Sequence, residues 1–161
     1  MDHVAKEILK DVALDKIEPK AQKPQSPVDH WTHAVLQERG AYLQKLAKNS
    51  NGGAGEKLRE YPQHFSMLSY RDRDGEAEIH EKYADLFVVV AGAATLITGG
   101  TIVDARTTKP GEIRGSAIEG GTRQEIRAGD IIHIPAGTPH QTLVSSEKTF
   151  TNFVLKIREE A

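Results

Sequence analysis

Gly129-Asp-Ile-Ile-His-Ile-Pro-Ala-Gly-Thr-Pro-His140 is a short apolar run that ends in a stiff turn and then presents one histidine. Gly129-Asp130 reads as the turn entering a strand, and Ile131 to Ile134 as that strand. Pro135-Ala-Gly137-Thr-Pro139 reads as a turn with two fixed φ values and one permissive one. His140 is thereby held at the start of the next strand. A second stretch of the same kind lies upstream, in Glu78-Ile-His80-Glu-Lys-Tyr-Ala-Asp85-Leu-Phe-Val-Val-Val-Ala-Gly92, where acidic and imidazole groups precede a continuous apolar strand. Residues two apart on a strand share a face, so Glu78 and His80 point the same way. With Asp85 returning after a turn and His140 coming from a different strand, four side chains can converge on one pocket.

Such a pocket needs a cation or its equivalent. Two carboxylates about 4 Å apart in a partly buried site repel by on the order of 4 kcal/mol at an effective dielectric near 20. A divalent ion relieves this, as does one raised carboxyl pKa or a nearby Arg or Lys. The alternative is that Glu78 turns to solvent and His80 pairs with Asp85 as ordinary strand-end residues.

The two stretches resemble the paired motifs of the cupin family. The first motif runs His, any residue, His, three or four residues, Glu, six residues, Gly. Here His80 takes the second histidine, Asp85 the glutamate and Gly92 the glycine, while Glu78 stands where the first histidine belongs. The second motif runs Gly, five residues, Pro, one residue, Gly, two residues, His. Gly129, Pro135, Gly137 and His140 fill it, with Val144 where many members carry Asn. The resemblance covers roughly residues 62 to 157 and implies a mainly β fold, the cupin double-stranded β-helix or jelly-roll barrel, to which the residue spacing ahead of it adds N-terminal α-helices. The implied division is an N-terminal helical extension and linker over residues 1–61 and a barrel domain over 62–157.

In the family, the matching positions bind one divalent metal, usually through three histidines and a glutamate, with open positions for substrate or oxygen. The resemblance therefore implies a metal held by His80, Asp85, His140 and Glu78. Two imidazoles with up to two carboxylates favour Mn or Fe, and Zn or Ni stay open. Glu78 is either a ligand or a proton-transfer group standing just off the ion, which makes it the candidate catalytic residue.

Composition narrows the partners. The chain has 161 residues, enough for one core with some decoration, and 21 basic against 23 acidic residues give no field that would recruit nucleic acid. Without cysteine there are no disulfides and no thiolate ligands. The charged N-terminal residues lack the apolar core of a signal peptide or membrane span, so the expectation is a soluble, cytoplasmic protein; removal of a leader would make it periplasmic or secreted.

Along the chain, Val4, Ile8, Leu9 and Val12 predict a short amphipathic helix over 2–17, and Pro19, Pro24 and Pro27 an extended linker over 18–27. A longer helix is expected from an Asp29 cap to residue 48, with Trp31, Val35, Tyr42, Leu43 and Leu46 as its stripe and Gly40 as a weak point. His30 and His33 read as solvated first-turn residues. About ten short strands follow, from His64 to a final strand over 149–157 with Phe153, Leu155 and Ile157 on one face. Gly99-Gly100 and Gly120-Gly121 predict two successive two-residue hairpins. Leu86, Val88 and Val90 alternate with Phe87, Val89 and Ala91, so both faces of that strand need cover, from the helix or from a second subunit; a homodimer is expected.

Other polar residues have a packing or solvated reading first. His133 reads as a packed core histidine, and Tyr83, Phe87 and Gln141 as residues packing beside the motifs. Arg106, Arg114 and Arg123 read as solvated loop residues, one of which could clamp a carboxylate substrate. Two functions follow: a small metal-dependent enzyme of dioxygenase or isomerase type acting on a small polar molecule in the barrel, or a non-catalytic binding or structural module without an essential metal.

Overall fold

A sixteen-residue strand, Tyr83–Thr98, runs through the centre of the computed structural model, which describes residues 27–159. The helix expected over 2–17 and nearly all of the linker lie outside the described residues. In chain order the strands are β1 (Gly53–Glu60), β2 (His64–Arg71), β3 (Ala77–His80), β4 (Tyr83–Thr98), β5 (Thr101–Val103) and β6 (Arg106–Lys109), then β7 (Glu112–Gly115), β8 (Ala117–Glu119), β9 (Thr122–Arg127), β10 (Ile131–Ile134), β11 (His140–Leu143) and β12 (Phe150–Arg158). The main sheet runs β1-β2-β12-β4-β11-β3-β7-β6, with β9 and β10 also on β4, and every pairing is antiparallel. The first half of β4 pairs with β12 and β10, the second with β11 and β9. This curled sheet is the expected jelly-roll architecture.

The partner change on β4 falls at Gly92. Its φ is +78°, and a Cβ there would sit 1.8 Å from the Thr149 carbonyl oxygen. Only glycine fits.

The two Gly-Gly pairs do not close two hairpins. β4 pairs with β9 from Ala93↔Arg127 to Thr98↔Thr122, and the ladder resumes as β5 with β8 at Thr101↔Glu119. Gly99-Gly100 and Gly120-Gly121 thus face each other across one long two-stranded ribbon. A Cβ at Gly100 would meet the Glu119 carbonyl oxygen at 2.5 Å, and one at Gly121 the Thr98 carbonyl oxygen at 2.8 Å. Positive φ serves a double kink here, which has the same local requirement as a primed turn. The excursion at the far end of the ribbon is the β6-β7 hairpin, which adds onto β3.

Inside the barrel, Phe87, Val89, Ala94, Leu96, Ile126, Ile134, Val144, Phe150 and Val154 form one buried cluster. The outer face of β1, β2 and β4 is covered by helix α1 (His33–Ala47), through Leu43 and Ala47 against Ala54, Leu58, Leu68, Tyr70 and Val90. The intrachain answer to the cover question therefore holds at Val90.

Two features of α1 differ from expectation. Its N-cap is Thr32, whose Oγ1 accepts from Val35 N at 3.1 Å, because Thr32 is the extended residue directly before the first turn. Asp29 instead accepts from Tyr61 Oη at 2.8 Å and pairs with Arg59 at 3.0 Å. Of the expected stripe, Leu43 is buried and Trp31, Tyr42 and Leu46 pack against the same cluster, but Val35 is 41% exposed, and Gly40 and Ala47 are buried in its stead. Gly40 is a close approach as well as a weak point, since a Cβ there would lie 2.9 Å from Thr151 Cγ2.

β1 itself was not signalled. Its buried positions are Ala54, Glu56 and Leu58, so a charge interrupts the apolar alternation. Glu56 accepts from Arg39 of α1 at 2.9 and 2.8 Å, a bidentate pair that satisfies both partners.

Candidate metal centre

Strand register assembles the cluster. β3 lies between β11 and β7, with His140 opposite Glu78, Glu78 opposite Arg114, and His80 opposite Glu112. Directly opposed residues have Cβ atoms about 5 Å apart, close enough for polar side chains to meet. On the facing wall, Asp85 of β4 lies between Ile134 of β10 and Lys156 of β12. The turn that carries His140 is tied to both walls: Gly137 N donates to the His80 carbonyl at 2.8 Å, and Gly99 N to the Pro139 carbonyl at 2.8 Å.

Glu78, His80 and His140 each bring a donor atom within 4.8 Å of the others. His140 Nε2 is 3.5 Å from Glu78 Oε1 and 3.5 Å from Asp85 Oδ2, while His80 Nε2 is 3.8 Å from Glu78 Oε1 and 3.5 Å from Asp85 Oδ2. Asp85 stands outside the three-residue group but touches both imidazoles' reach. His80 Nδ1 is 2.5 Å from Glu112 Oε2, and His140 Nδ1 is 2.9 Å from the Thr138 carbonyl. Each Nδ1 is thus committed to an acceptor, which turns the Nε2 of both rings toward one point. His140 Nε2 and Asp85 Oδ1 are buried without a well-formed hydrogen bond among the described residues. This donor set, with the orphaned His140 Nε2 at its centre and oriented imidazoles, fits a divalent ion.

The chain also balances part of the charge itself. Arg114 Nη1 donates to Glu78 Oε2, and Lys156 Nζ lies 2.7 Å from Asp85 Oδ1 and 3.0 Å from His80 Nε2. The Lys156 contact with Asp85 is an ion pair. Burial raises the Glu78 carboxyl pKa, but the His140 and His80 contacts and the Arg114 charge outweigh it and hold the group well below the usual range. Asp85 is likewise lowered, by His140 and Lys156 against burial. Burial works against charge on His140, yet Asp85 and Glu78 raise its pKa to about 9. For His80, burial and Lys156 lower the pKa and Glu112 and Glu78 raise it, with a net upward pull. The 3.0 Å Lys156 contact nevertheless requires a lone pair on Nε2, so the ring is neutral whenever Lys156 is an ammonium donor there.

Side-chain exposure shows where the cluster opens. His140 and Asp85 are each 2% exposed, whereas Glu78 and Glu112 are 21% and Arg114 is 30% exposed. Access is over the β3-β7 side.

Of the flanking residues, Phe87 packs in the barrel core and Gln141 is buried, donating to the Gly75 carbonyl at 2.9 Å. Tyr83 packs its ring against Phe65 at 5.8 Å. His133 is exposed, not packed: Ile132 and Ile134 take the inner face of β10. The three arginines lie on strands, and Arg114 is engaged with Glu78. His30 and His33 are exposed, as expected. Lys156 and Glu112 carried no signal as site residues. An open depression of about 660 Å³ lies elsewhere, lined in part by Tyr70, Asp72, Val144 and Lys148. It shares no residue with the cluster, and among the described residues it is at the cluster that oriented donor atoms converge.

No protein-family model matches the chain, and no curated protein sequence matches it. Solved structures do. An uncharacterised conserved protein with a double-stranded β-helix domain from Klebsiella pneumoniae is 16% identical, over 70% of this chain and 89% of that one, with a TM-score of 0.50. A Cupin 2 conserved barrel domain protein from Salinispora arenicola is 15% identical over 67% and 77%, with a TM-score of 0.47. The polyketide cyclase RemF from Streptomyces resistomycificus is 16% identical over 68% of each chain, with a TM-score of 0.49. At such identities the likeness concerns the fold alone.

Proposed function

We propose that this chain, which has the double-stranded β-helix fold of the cupins, binds one divalent metal ion and acts on a small polar molecule in the barrel. The observation that carries this reading is the pair of imidazoles whose Nδ1 positions are committed to Glu112 and Thr138, leaving both Nε2 atoms directed at a point that Glu78 also reaches. His80, His140 and Glu78 would hold the ion, with Asp85 as a further oxygen donor. An ion so held supplies a Lewis acid for a carbonyl or enol, or a binding point for dioxygen, which suits an enzyme of dioxygenase or isomerase type. Its oxygen-bearing ligand set favours Mn or Fe. Glu78 sits at the open edge, kept ionised by the histidines and Arg114, which suits an oxygen ligand better than a base. Metal analysis of purified protein tests this: we expect about one divalent ion per chain, lost in both His80→Ala and His140→Ala. Undiminished metal in both variants overturns the site.

A second reading rests on Lys156. Its ammonium lies against Asp85 and His80, a contact that favours a barrel binding its ligand without an essential metal.

We further propose a homodimer through the part of the outer face that α1 leaves uncovered. There Ile131, 68% exposed, lies opposite Val88, and Leu155 opposite Leu86, both half-buried. Light scattering should give a dimer, and a monomer at high micromolar concentration overturns it. Among the described residues no helix is long and apolar enough to cross a membrane.

A further inference from the structure

We propose that Lys156 is a resident cation that a divalent ion has to displace before it can bind; the inference rests on the metal-binding reading above. Lys156 is not a surface lysine that happens to lean inward. It shares strand parity with Phe150, Asn152 and Val154, whose side chains are buried, and it stands directly opposite Asp85. Its side chain is 13% exposed.

The conflict is over one lone pair. His80 Nδ1 is engaged by Glu112, so the ring has only Nε2 to offer, and Lys156 Nζ already takes it at 3.0 Å. An ion and an ammonium cannot share that lone pair. The same Nζ is 2.7 Å from Asp85 Oδ1, a contact that leaves Asp85 Oδ2 facing both histidines. Arg114 engages a carboxylate rather than an imidazole nitrogen. It contacts Glu78 through Oε2 and leaves Oε1 facing both histidines, so it can remain in place when an ion binds. Of these two cationic side chains only Lys156 has to move, and its unbranched four-carbon stem allows the ammonium to swing away without movement of the backbone. The cluster therefore holds a cation of its own where a metal would bind, and metal uptake is an exchange of cations.

Calorimetric titration of Mn(II) and Zn(II) into wild type, Lys156→Met and Lys156→Gln at one pH tests the exchange. Both variants should bind at least about tenfold more tightly than wild type, since a positive charge that opposes the ion is gone. Equal or weaker binding in the variants overturns the inference while leaving the metal reading intact. Binding in the variants with none in wild type supports the inference and removes the metal reading for the native chain; no binding in any of the three overturns both. A measurement on wild type guards against variants that fail to fold. The ¹³Cε signal of Lys156, assigned with Lys156→Arg, should move on Zn(II) addition, and a signal that stays unchanged while Zn(II) binds overturns displacement.

Discussion

Along β12, Phe150 and Val154 face the same interior as Lys156; along β4, Asp85 precedes Phe87 and Val89 on that interior face. The two ends of the barrel thus share strands, parity and register. At one end nine apolar side chains fill the space. At the other, the same strands deliver Asp85 and Lys156 to meet His80, His140 and Glu78, all held by charge contacts with the orphaned His140 Nε2 among them. Close packing fixes the apolar end in a single arrangement, whereas a charged cluster has alternatives, since each contact can be exchanged for another of equal sign. The apolar end stabilises the fold, and the polar end is free to respond to ions and protons.

Removing volume from the apolar end should have the largest effect. Phe150→Ala deletes a ring that is 2% exposed and should cost about 3–5 kcal/mol of stability, read by denaturant unfolding. Metal content of the protein that remains folded should be unchanged, and loss of metal in folded Phe150→Ala protein would break the separation between the two ends.

A change of pH acts at the other end. The pKa of His140 is raised to about 9 in the metal-free protein, so its contribution to stability is complete below about pH 6.5 and is lost as pH rises through about 9. An ion needs the Nε2 lone pair and expels that proton. Metal affinity should therefore climb with pH, by up to about tenfold per unit below pH 9, while metal-free stability falls over the same window. Titrations at pH 6, 7 and 8 check the first trend and thermal unfolding without metal the second; a flat affinity profile refutes the coupling.

Glu78 gives the smallest and most discriminating effect. As a ligand, its replacement in Glu78→Gln should weaken Mn(II) binding roughly tenfold by removing a negative charge. As a proton-transfer group beside the ion, the same change should leave binding intact and abolish turnover of any substrate found. Glu78→His, which places the family's usual residue there, should keep metal and favour softer ions if position 78 is a ligand. Unchanged affinities in both variants would show that Glu78 is not a ligand.

How much of this was legible depended on whether a residue's requirement is local. Gly137 and the two prolines before His140 have backbone needs that few other sequences satisfy, so the second motif announced its turn and its histidine. The Gly-Gly pairs were equally local but ambiguous, because a primed turn and a double kink both demand positive φ. Thr32 and Asp29 are both good caps, and only tertiary contacts to Tyr61 and Arg59 remove Asp29 from the choice. β1 was hidden by Glu56, a buried charge whose partner Arg39 lies seventeen positions away on α1. Lys156 was missed because a lysine near a polar chain end reads as solvated. Its parity with Val154 was visible in the sequence, but its meeting with Asp85 depends on the pairing of β12 with β4. Glu112 and Arg114 depend in the same way on the hairpin's register against β3.

The position of β12 has a consequence for the order of assembly. It is the last of the described strands in sequence, yet it lies between β2 and β4, pairing along nearly its whole length with both. Until it docks, two long strand edges stay open, with the hazard of mispairing between molecules that open edges bring. The loops closed by this step are long, from β2 at His64–Arg71 to β12 at Phe150–Arg158, so it belongs to the slow class of non-local pairings. The strand that closes the sheet is also the strand that brings the ammonium to Asp85. A carboxylate that would otherwise sit exposed in an unfinished barrel is therefore neutralised at the moment of closure.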